Sequence, residues 1–479
     1  MSIHQIKTRI IATLGPSSNS AVMIEKLLYA GINVFRLNFS HGTCTEHGTT
    51  INSIRRVSKK CGIEVGILCD LQGPKIRTGS TKDDKRIYLK KGSIVELTSR
   101  VSECTQTRIS INYAGLHKDV KIGHHLLLND GAVCLRVTAL DEKNNLLVSK
   151  VVQSGHYSSH KGVNFPESAL RVSALTKKDK DDLAFILTQD IDFIALSFVR
   201  GPGDMRQLLK LIHTAGKLLK CIAKIEKPEA VSRLEAILKV CDGIMVARGD
   251  LGVEASSSFV PILQKDCIQA ANRLGKTVIV ATQMLESMIE RPLPTRAETT
   301  DVANAIIDGA DALMLSGETS VGLHPVPAVK TIVNIAKQTE KSAYLPHQFR
   351  DLSIKGKYPP HAICEAANWA SRDLGNTPVV VFTLSGATAD YLSKLRMQAP
   401  VFAFTPSLVV ARSLSLSWNI STFVVDREPY MKELLAKAEV VLLKKKLVKK
   451  GTLLTVVCGN MLQGGATNLL MIKKTGEDV

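Results

Sequence analysis

Short runs of apolar and β-branched residues recur along the first two thirds of the chain, with amphipathic stretches of helical periodicity between them. Eight of these runs predict strands: TRIIATLG (8–15), NVFRLNFS (33–40), VGILCDLQ (65–72), FIALSFV (193–199), CIAKIE (221–226), GIMVARG (243–249), TVIVAT (277–282) and ALMLSGE (312–318). Their starts are separated by 25, 32, 128, 28, 22, 34 and 35 residues. Apart from the long third interval, this spacing fits a repeated strand and helix unit. The pattern therefore predicts a (β/α)8 TIM barrel with one insertion.

The insertion has a different pattern of apolar and polar positions. Its strand-like runs RIYL, SIVELTS, HHLLLND and AVCLRVTAL are separated by turn residues at 129–131 and 144–145. Such short alternating runs with tight turns predict an inserted all-β, β-barrel-like domain. Because it follows a barrel strand, we expect it to lie over the catalytic face and act as a lid.

After about residue 345 helical and strand patterns alternate again, which predicts a C-terminal open α/β domain. The predicted domains are a barrel formed by 1–72 and 166–345, an inserted lid at 73–165 and a C-terminal α/β domain at 346–479. The segment at 344–360, rich in Pro, Gly and polar residues, is the predicted linker.

Composition and charge narrow the classes of function. The chain has no apolar run near the roughly 18 residues of a membrane span, and its N-terminus lacks the features of a signal peptide. We therefore expect a cytoplasmic protein with no membrane partner. The net charge of +18 includes lysine clusters at 444–446 and 449–450, and aromatic residues make up only 5% of the chain. A solvated basic face is favoured over a nucleic-acid groove, so no nucleic-acid partner is expected.

Polar and charged side chains end the predicted barrel strands, where the active site of a barrel forms. In strand order they are Arg36, Asn38 and Ser40, then Asp70, Ser197, Lys224 and Glu226, Arg248 and Asp250, Thr282 and Gln283, and Ser316 and Glu318. Two carboxylates beside a lysine and an arginine can hold a divalent cation and still leave positive charge for an anionic substrate. The pattern predicts a phosphoryl-transfer or enolate site. A structural ion-pair network is the alternative, and the repetition of polar strand ends disfavours it.

Longer motifs add a family resemblance. They are RIIATLGPSS (9–18), NVFRLNFSHG (33–42), CDLQGPKIRTG (69–79), AKIEKPEA (223–230), DGIMVARGDLGVE (242–254), ATQMLESM (281–288), PTRAETTDVANAI (294–306) and ALMLSGETS (312–320). With these motifs in this order over nearly its whole length, the chain resembles the pyruvate kinase family. The resemblance implies the last step of glycolysis, in which phosphoenolpyruvate and ADP give pyruvate and ATP, with allosteric regulation through the C-terminal domain.

The resemblance also implies roles for the strand-end residues. Glu226 and Asp250 match the ligands of a divalent metal, Mg²⁺ or Mn²⁺. Lys224 would neutralise charge on the moving phosphoryl group and on the enolate. Arg36 would bind the phosphate with its planar fork of donors.

Further positions match the carboxylate and proton-transfer parts of the family's site. The backbone amides of Gly249 and Asp250 would bind the substrate carboxylate. Thr282 would lie near the enolate carbon and end a proton relay that passes through Ser316, Glu318 and water. A capping or packing role for Thr282 is the alternative, since a hydroxyl is a poor acid by itself.

On the nucleotide side, Arg77 and Lys178 match positions that contact ADP or ATP phosphates as the lid closes. Asn38 and His41 would border the same pocket, with His41 a structural neighbour rather than an acid or base. For Lys178 the alternative is a solvated basic turn, because Lys177 is adjacent.

The chain departs from the commoner family pattern next to the predicted site. Many members carry Asp-Thr-Lys-Gly-Pro-Glu and need K⁺, whereas this chain has DLQGPK at 70–75. The Lys75 ammonium would supply the charge that K⁺ otherwise supplies, and two cations so close would repel each other. We therefore predict that K⁺ is not required. The positions that match monovalent-ion ligands are Asn38, Ser40, Asp70 and Leu71, so an occupied site stays open.

The segment TLSGATADYL (383–392) resembles the family's loop for a phosphorylated effector. Its candidate ligand groups are Thr383, Ser385, Gly386, Ala387 and Thr388. The effector could be a sugar bisphosphate, a sugar monophosphate or a nucleoside monophosphate, and an ordinary helix cap is the alternative. The resemblance further implies a homotetramer.

Two other functions stay open from the sequence. A metal-dependent barrel aldolase or lyase would share Lys224, Glu226, Arg248 and Asp250, but it would not need the insertion or Arg77. A basic nucleic-acid-binding protein would bind DNA or RNA with strong salt dependence, and replacing Asp250 would change little.

Overall fold

The computed structural model describes residues 6–141, 144–168, 170–345, 359–428, 430–459 and 467–477. The strands in these ranges are β1 (Arg9–Thr13), β2 (Val34–Asn38), β3 (Gly66–Asp70), β4 (Ile87–Leu89), β5 (Ile94–Thr98), β6 (Arg108–Ser110), β7 (His125–Leu128), β8 (Val133–Asp141), β9 (Leu146–Gln153), β10 (Gly155–Tyr157), β11 (Val163–Asn164), β12 (Phe193–Leu196), β13 (Lys220–Ile225), β14 (Gly243–Ala247), β15 (Thr277–Ala281), β16 (Ala312–Leu315), β17 (Val379–Phe382), β18 (Val401–Thr405), β19 (Ile420–Val424), β20 (Leu453–Gly459) and β21 (Thr467–Lys474).

The helices in the same ranges are α1 (Ala21–Ala30), α2 (Cys44–Cys61), α3 (Leu116–Asp119), α4 (Lys177–Ile186), α5 (Pro202–Thr214), α6 (Pro228–Ser232), α7 (Leu234–Leu238), α8 (Arg248–Ala255), α9 (Val260–Arg273), α10 (Arg296–Asp308), α11 (Gly317–Ser320), α12 (Pro325–Thr339), α13 (Pro359–Asp373), α14 (Ala387–Lys394), α15 (Leu408–Ser413) and α16 (Met431–Lys444). Short 3-10 turns lie at Lys82–Asp84 and Glu286–Ile289. In this part of the chain no helix is both long and apolar enough to cross a bilayer.

Local sequence signals begin and end several of these helices. Thr43 caps α2 and forms a reciprocal capping box with Glu46, and Thr295 does the same for α10 with Glu298. Each box satisfies backbone amides that the first helical turn leaves without partners. Helix α1 ends at Gly31, whose φ of 118° is open to glycine but costly for a side chain.

A closed parallel barrel organises the described part of the chain. Its strands follow the order β1-β16-β15-β14-β13-β12-β3-β2, which closes when β2 pairs with β1. All residues of β1, β3 and β14 are buried, as expected for strands covered on both faces. The predicted TIM barrel is confirmed, and each of the eight predicted runs overlaps one barrel strand.

The insertion forms its own β structure between β3 and β12. A six-stranded sheet has the order β11-β7-β8-β9-β5-β6, and β10 pairs with β4. The predicted turn between β7 and β8 is present, with Asn129, Asp130 and Gly131 all at positive φ. Leu170 and Val172 also pack on this core, although they lie beyond the predicted boundary at 165. The exact domain boundaries stay predictions.

The C-terminal α/β sheet has the strand order β19-β18-β17-β20-β21. It is parallel except for β21, which pairs antiparallel with β20. The sequence patterns did not predict β19 or β21. Ser421 and Thr422 interrupt the first, and the second is a largely exposed edge strand with two polar residues at each end. The predicted linker at 344–360 lies mostly outside the described residues.

Buried charges join the C-terminal domain to the base of the barrel. Asp311, which directly precedes β16, lies 2.7 Å from Lys394 Nζ and 2.9 Å from an Arg396 guanidinium nitrogen. The Arg396 guanidinium also lies 4.8 Å from the centre of the Trp418 ring. Asp311 is fully buried. This contact connects helix α14 to the N-terminal end of a strand whose other end reaches the predicted site.

Candidate active site

The predicted site residues meet at the C-terminal ends of the barrel strands, where the insertion borders a cleft of about 340 Å³. Lys75, Arg77, Arg200, Lys227 and Asp250 are among the residues that line it. The lining carries five Lys or Arg side chains and four Asp or Glu side chains. The cleft can therefore contact both an anionic ligand and a cation.

Lys224 is the centre of a buried charge cluster formed by three neighbouring strands. Its ammonium nitrogen lies 2.9 Å from Glu226 Oε1 and 3.3 Å from Asp70 Oδ2, and it donates a 2.7 Å hydrogen bond to Ser197 Oγ. Burial alone would lower the pKa of Lys224, but the Asp70 and Glu226 carboxylates raise it above its ordinary value. Lys224 is therefore a fixed cation at neutral pH.

Arg36 is held in place by the same aspartate. Its Nε and Nη2 both donate to Asp70 Oδ2, at 2.8 and 2.6 Å, and Nη1 donates to Thr13 Oγ1 at 3.1 Å. Burial would raise the pKa of Asp70, but Lys224 and Arg36 outweigh it and lower that pKa. Asp70 therefore stays ionised and orients both cations.

Glu226 and Asp250 lie close enough to interact electrostatically. Burial raises the pKa of Glu226, Lys224 opposes that shift, and the Asp250 carboxylate adds to it. Glu226 Oε2, the oxygen that Lys224 does not contact, accepts a hydrogen bond from the Phe198 amide at 2.7 Å. Within the described ranges no group of three or more His, Cys, Asp or Glu side chains forms a metal cage. The pair suits Mg²⁺, which binds through one or two carboxylates, water and substrate oxygens.

Thr282 occupies an unusual turn after β15. Thr282 and Gln283 have φ values of 69° and 54°, in the left-handed region that costs non-glycine residues about 1–3 kcal/mol each. The Gly249 amide donates to Thr282 Oγ1 at 2.8 Å. The structure thus brings together two residues predicted to bind substrate, but it engages the Gly249 amide with Thr282 rather than leaving it open.

Glu318, which is predicted as part of a proton relay, is held by two backbone amides. It is fully buried, and its two carboxylate oxygens accept the amides of Leu285, at 3.0 Å, and Ser316, at 2.7 Å. Those bonds tie the loop after β16 to the turn after β15. The hydroxyl of Ser316 is buried and has no hydrogen-bond partner among the described residues.

Of the predicted nucleotide residues, Arg77 is among those that line the cleft, whereas Asn38, His41 and Lys178 are not. Lys178 Nζ donates to the Phe39 carbonyl at 2.8 Å and to Asp182 at 2.5 Å, so it is anchored rather than freely solvated. Arg77 lines the cleft from the insertion. Burial lowers the pKa of His41, and Lys75, Arg77 and Arg36 lower it further, which keeps the imidazole neutral at pH 7.

The positions that match monovalent-ion ligands already have protein partners. Asp70 Oδ2 binds Arg36 and Lys224, and the Leu71 carbonyl accepts Ser197 Oγ at 2.7 Å. Asn38 Oδ1 accepts the Ser40 amide at 3.2 Å. Burial lowers the pKa of Lys75, and the nearby Lys224 lowers it further.

The candidate effector loop stands at the N-terminus of α14. Gly386 has a φ of 87°, and its amide donates to Thr383 Oγ1 at 2.9 Å. The Ala387 amide lies 3.4 Å from Ser385 Oγ, and the Thr388 hydroxyl lies 2.8 Å from that of Thr467. These internal bonds are those of an ordered turn that caps a helix, and they neither require nor exclude a phosphate ligand.

The sequence analysis missed two sets of contacts around the cleft. Glu254 Oε1 accepts hydrogen bonds from Lys227 and from Asn164 of the insertion, at 3.0 and 2.9 Å. Arg248, noted only as a strand end, pairs with Asp301 at 2.7 Å. The position of Glu254 four residues after Asp250 on one helix was the available signal for the first set.

Comparisons with known proteins agree with this geometry. A family model described as the pyruvate kinase barrel domain matches residues 5–329, and one described as the pyruvate kinase alpha/beta domain matches residues 361–473. Pyruvate kinase 2 of Synechocystis sp. is 44% identical over 470 residues, covering 98% of this chain and 79% of that protein. The pyruvate kinase of Corynebacterium glutamicum is 41% identical over 473 residues, covering 98% of each. A crystal structure of a pyruvate kinase from Cryptosporidium parvum has a TM-score of 0.90 and 34% identity, covering 99% of this chain and 97% of that one.

Proposed function

The chain belongs to the pyruvate kinase family, and from that premise we propose how its residues carry out the family's reaction. It is a glycolytic phosphotransferase that moves the phosphoryl group of phosphoenolpyruvate to ADP, giving pyruvate and ATP. The observation that carries the residue roles is the buried cluster in which Lys224 contacts Asp70, Glu226 and Ser197.

Arg36 and Lys224 bind the phosphoryl group in this proposal. An oxygen of the ADP β-phosphate attacks phosphorus as the bond to the enol oxygen breaks, which leaves the enolate of pyruvate. Lys224 is well suited to stabilise this charge, because a fixed cation in a buried site needs no reorganisation at the moment of reaction. Asp70 serves both cations by orienting them.

Glu226 and Asp250 would hold a divalent metal, Mg²⁺ or Mn²⁺, in this site. Burial raises the pKa of Glu226, the nearby Asp250 carboxylate adds to that rise, and a cation between the two carboxylates would relieve their repulsion. When bound, such an ion supplies positive charge to the phosphoryl and carboxylate oxygens of the substrate.

The enolate then takes up a proton at its methylene carbon to give pyruvate. We assign Thr282 a place beside that carbon, with the amides of Gly249 and Asp250 near the substrate carboxylate. Ser316 and Glu318 support the same step from the neighbouring strand, Glu318 through its two backbone contacts.

The nucleotide occupies the side of the cleft next to the insertion. Arg77 and Lys178 bind ADP and ATP phosphates, with Asn38 and His41 at the border of the pocket. Closing of the insertion over the cleft excludes water from the reacting groups.

K⁺ is not required in this proposal. Lys75 lies near Lys224 and Asp250, where its ammonium adds positive charge to the site. The candidate ion ligands Asp70 and Leu71 are engaged by Arg36, Lys224 and Ser197. Both observations favour a site that works without a monovalent ion.

Regulation and assembly follow the family expectation. The proposed division is a barrel at 1–72 and 166–345, a lid at 73–165 and an effector-binding domain at 346–479. A phosphorylated effector would bind at the loop formed by Thr383, Ser385, Gly386, Ala387 and Thr388. We assign the enzyme to the cytoplasm, where glycolysis runs, as a homotetramer.

A coupled assay tests the function directly. Purified protein with phosphoenolpyruvate, ADP and Mg²⁺ should form pyruvate and ATP in equal amounts, with no added K⁺. A barrel aldolase or lyase would instead act on pyruvate without ADP. Absence of ATP formation that depends on phosphoenolpyruvate would contradict the proposal.

A further inference from the structure

Arg248 makes an unusual set of contacts for a residue so close to the site. It begins α8, two residues before Asp250, and only 8% of its surface is exposed. Its Nε and Nη2 donate to the Thr282 carbonyl at 3.2 and 2.8 Å, and Nη2 also donates to the Gln283 carbonyl at 3.1 Å. Nη1 pairs with Asp301 at 2.7 Å. One guanidinium thus binds two successive carbonyls and a carboxylate.

Those two carbonyls belong to the left-handed residues Thr282 and Gln283. A β-branched residue such as Thr282 resists this backbone conformation, so neighbouring contacts must hold it there. Arg248 holds the Thr282 carbonyl, while the adjacent Gly249 amide donates to the Thr282 hydroxyl at 2.8 Å, and that hydroxyl donates to the Ala281 carbonyl at 2.6 Å. From the next strand, Glu318 holds the Leu285 amide at 3.0 Å. The turn is fixed at each end by a buried charged side chain.

We infer that Arg248 is a positioning residue for proton transfer to the enolate carbon: it acts by clamping the Thr282 and Gln283 carbonyls, and it thereby fixes the place of the Thr282 hydroxyl. Arg248 itself does not touch the substrate. The inference rests on the proposed function, because it assigns Arg248 to one step of that reaction. Lysine cannot replace it, since a single ammonium lacks the planar fork that reaches both carbonyls and Asp301.

The two steps of the proposed reaction depend on residues at the ends of different barrel strands. Phosphoryl transfer depends on Arg36, Lys224 and the proposed metal ligands Glu226 and Asp250, which lie on or just after β2, β13 and β14, whereas the clamped turn follows β15. Loss of the clamp should therefore slow proton transfer more than phosphoryl transfer. A residue that merely braces the fold would affect both steps alike.

The experiment follows exchange of the pyruvate methyl protons by NMR in deuterated buffer with Mg²⁺ and ATP. In this exchange the enzyme removes a proton from the methyl carbon to form the enolate, and a solvent deuteron then returns to the same carbon. We compare wild type with Arg248→Gln, Arg248→Lys and the matched control Asp301→Asn, which removes the ion pair but leaves the carbonyl clamp. We expect Arg248→Gln and Arg248→Lys to slow exchange by about 10-fold to 100-fold, within the range of acid–base contributions, and Asp301→Asn to change it little.

A double variant tests whether Arg248 acts through Thr282. If it does, Arg248→Gln combined with Thr282→Ala should exchange no more slowly than Thr282→Ala alone, because coupled residues are not additive. Three results would each overturn the inference. They are rate losses that multiply in the double variant, equal rate losses in Arg248→Gln and Asp301→Asn, and a Mg²⁺ requirement that rises in step with the exchange defect. If Arg248→Gln does not fold, Arg248→Lys against Asp301→Asn decides it. Failure of the proposed function would show separately, as a wild-type enzyme that forms no ATP from phosphoenolpyruvate.

Discussion

The ammonium group of Lys224 lies 2.9 Å from the carboxylate of Glu226, two residues further along the same strand end. The cation proposed to face the moving phosphoryl group therefore also neutralises one of the two proposed metal ligands. Charge at the site is shared among Lys224, Asp70 and Glu226, all of which are buried. Changing any one of them alters the charge that the others experience.

Replacing Lys224 by methionine should lower kcat by about 100-fold or more, because it removes a fixed charge that acts on the transition state. The KM for phosphoenolpyruvate should change less, since Arg36 still binds the phosphate. Steady-state kinetics in both directions measure the two constants. Thermal unfolding serves as the control, because the change leaves the Asp70 and Glu226 carboxylates buried without their shared partner. A folded variant with wild-type kcat would remove Lys224 from the mechanism.

Replacing Lys75 by glutamate should make activity depend on K⁺. The wild type should be equally active with potassium or with tetramethylammonium as the only monovalent cation. The variant replaces an ammonium near Lys224 and Asp250 by a carboxylate, and an added K⁺ ion can restore the lost positive charge. Lys161→Glu is the matched control, because it makes the same charge change elsewhere in the cleft. Equal K⁺ dependence in wild type and Lys75→Glu would contradict this account.

The contact between Asp311 and the C-terminal domain should be a major source of stability. Asp311→Asn leaves the buried cations Lys394 and Arg396 without their carboxylate, and breaking such a buried pair typically costs about 3–5 kcal/mol. Urea unfolding should show a lower midpoint. Glu25→Gln, which breaks the exposed pair with Lys60, is the control and should leave the midpoint unchanged. Similar midpoints for the two variants would show that the buried contact adds little.

Acid should destabilise the protein partly through His47. Its ring stacks on Phe39 at 4.1 Å, its Nε2 donates to the His41 carbonyl at 2.8 Å, and burial lowers its pKa. The unfolded chain therefore binds the proton more readily, so stability falls as the pH drops below the unfolded pKa of about 6.5 and is unaffected above it. Urea midpoints from pH 5 to 8 should show a smaller acid-side decline in His47→Gln. An identical decline in both proteins would exclude His47 as a contributor.

The barrel and the charged part of its site could be predicted from the sequence, because both depend on the short-range pattern of apolar and polar residues. Parallel strands buried on both faces read as continuous apolar runs, so Lys224 and Glu226 stand out at the end of β13. Their alternation alone places both side chains on one face, as the 2.9 Å contact confirms.

The turn after β15 shows what the sequence could not supply. Nothing in ATQM indicates that Thr282 and Gln283 adopt left-handed backbone or that their carbonyls accept hydrogen bonds from Arg248, which follows another strand. The sequence likewise does not indicate that the oxygens of Glu318, which is predicted as part of a proton relay, accept two backbone amides. Both the turn after β15 and the position of Glu318 depend on contacts between residues that are far apart in the sequence.

The most direct test of the central claim is a Mg²⁺ titration of ATP formation from phosphoenolpyruvate in Glu226→Gln and Asp250→Asn. Glu229→Gln is the control, because Glu229 lines the same cleft outside the proposed metal pair. Each amide variant should lose about 100-fold or more of its turnover, as expected when charge stabilisation of the transition state is removed, and should need more Mg²⁺, while Glu229→Gln should behave as wild type. Wild-type turnover and an unchanged Mg²⁺ requirement in either amide variant would contradict the claim that these two carboxylates hold the metal.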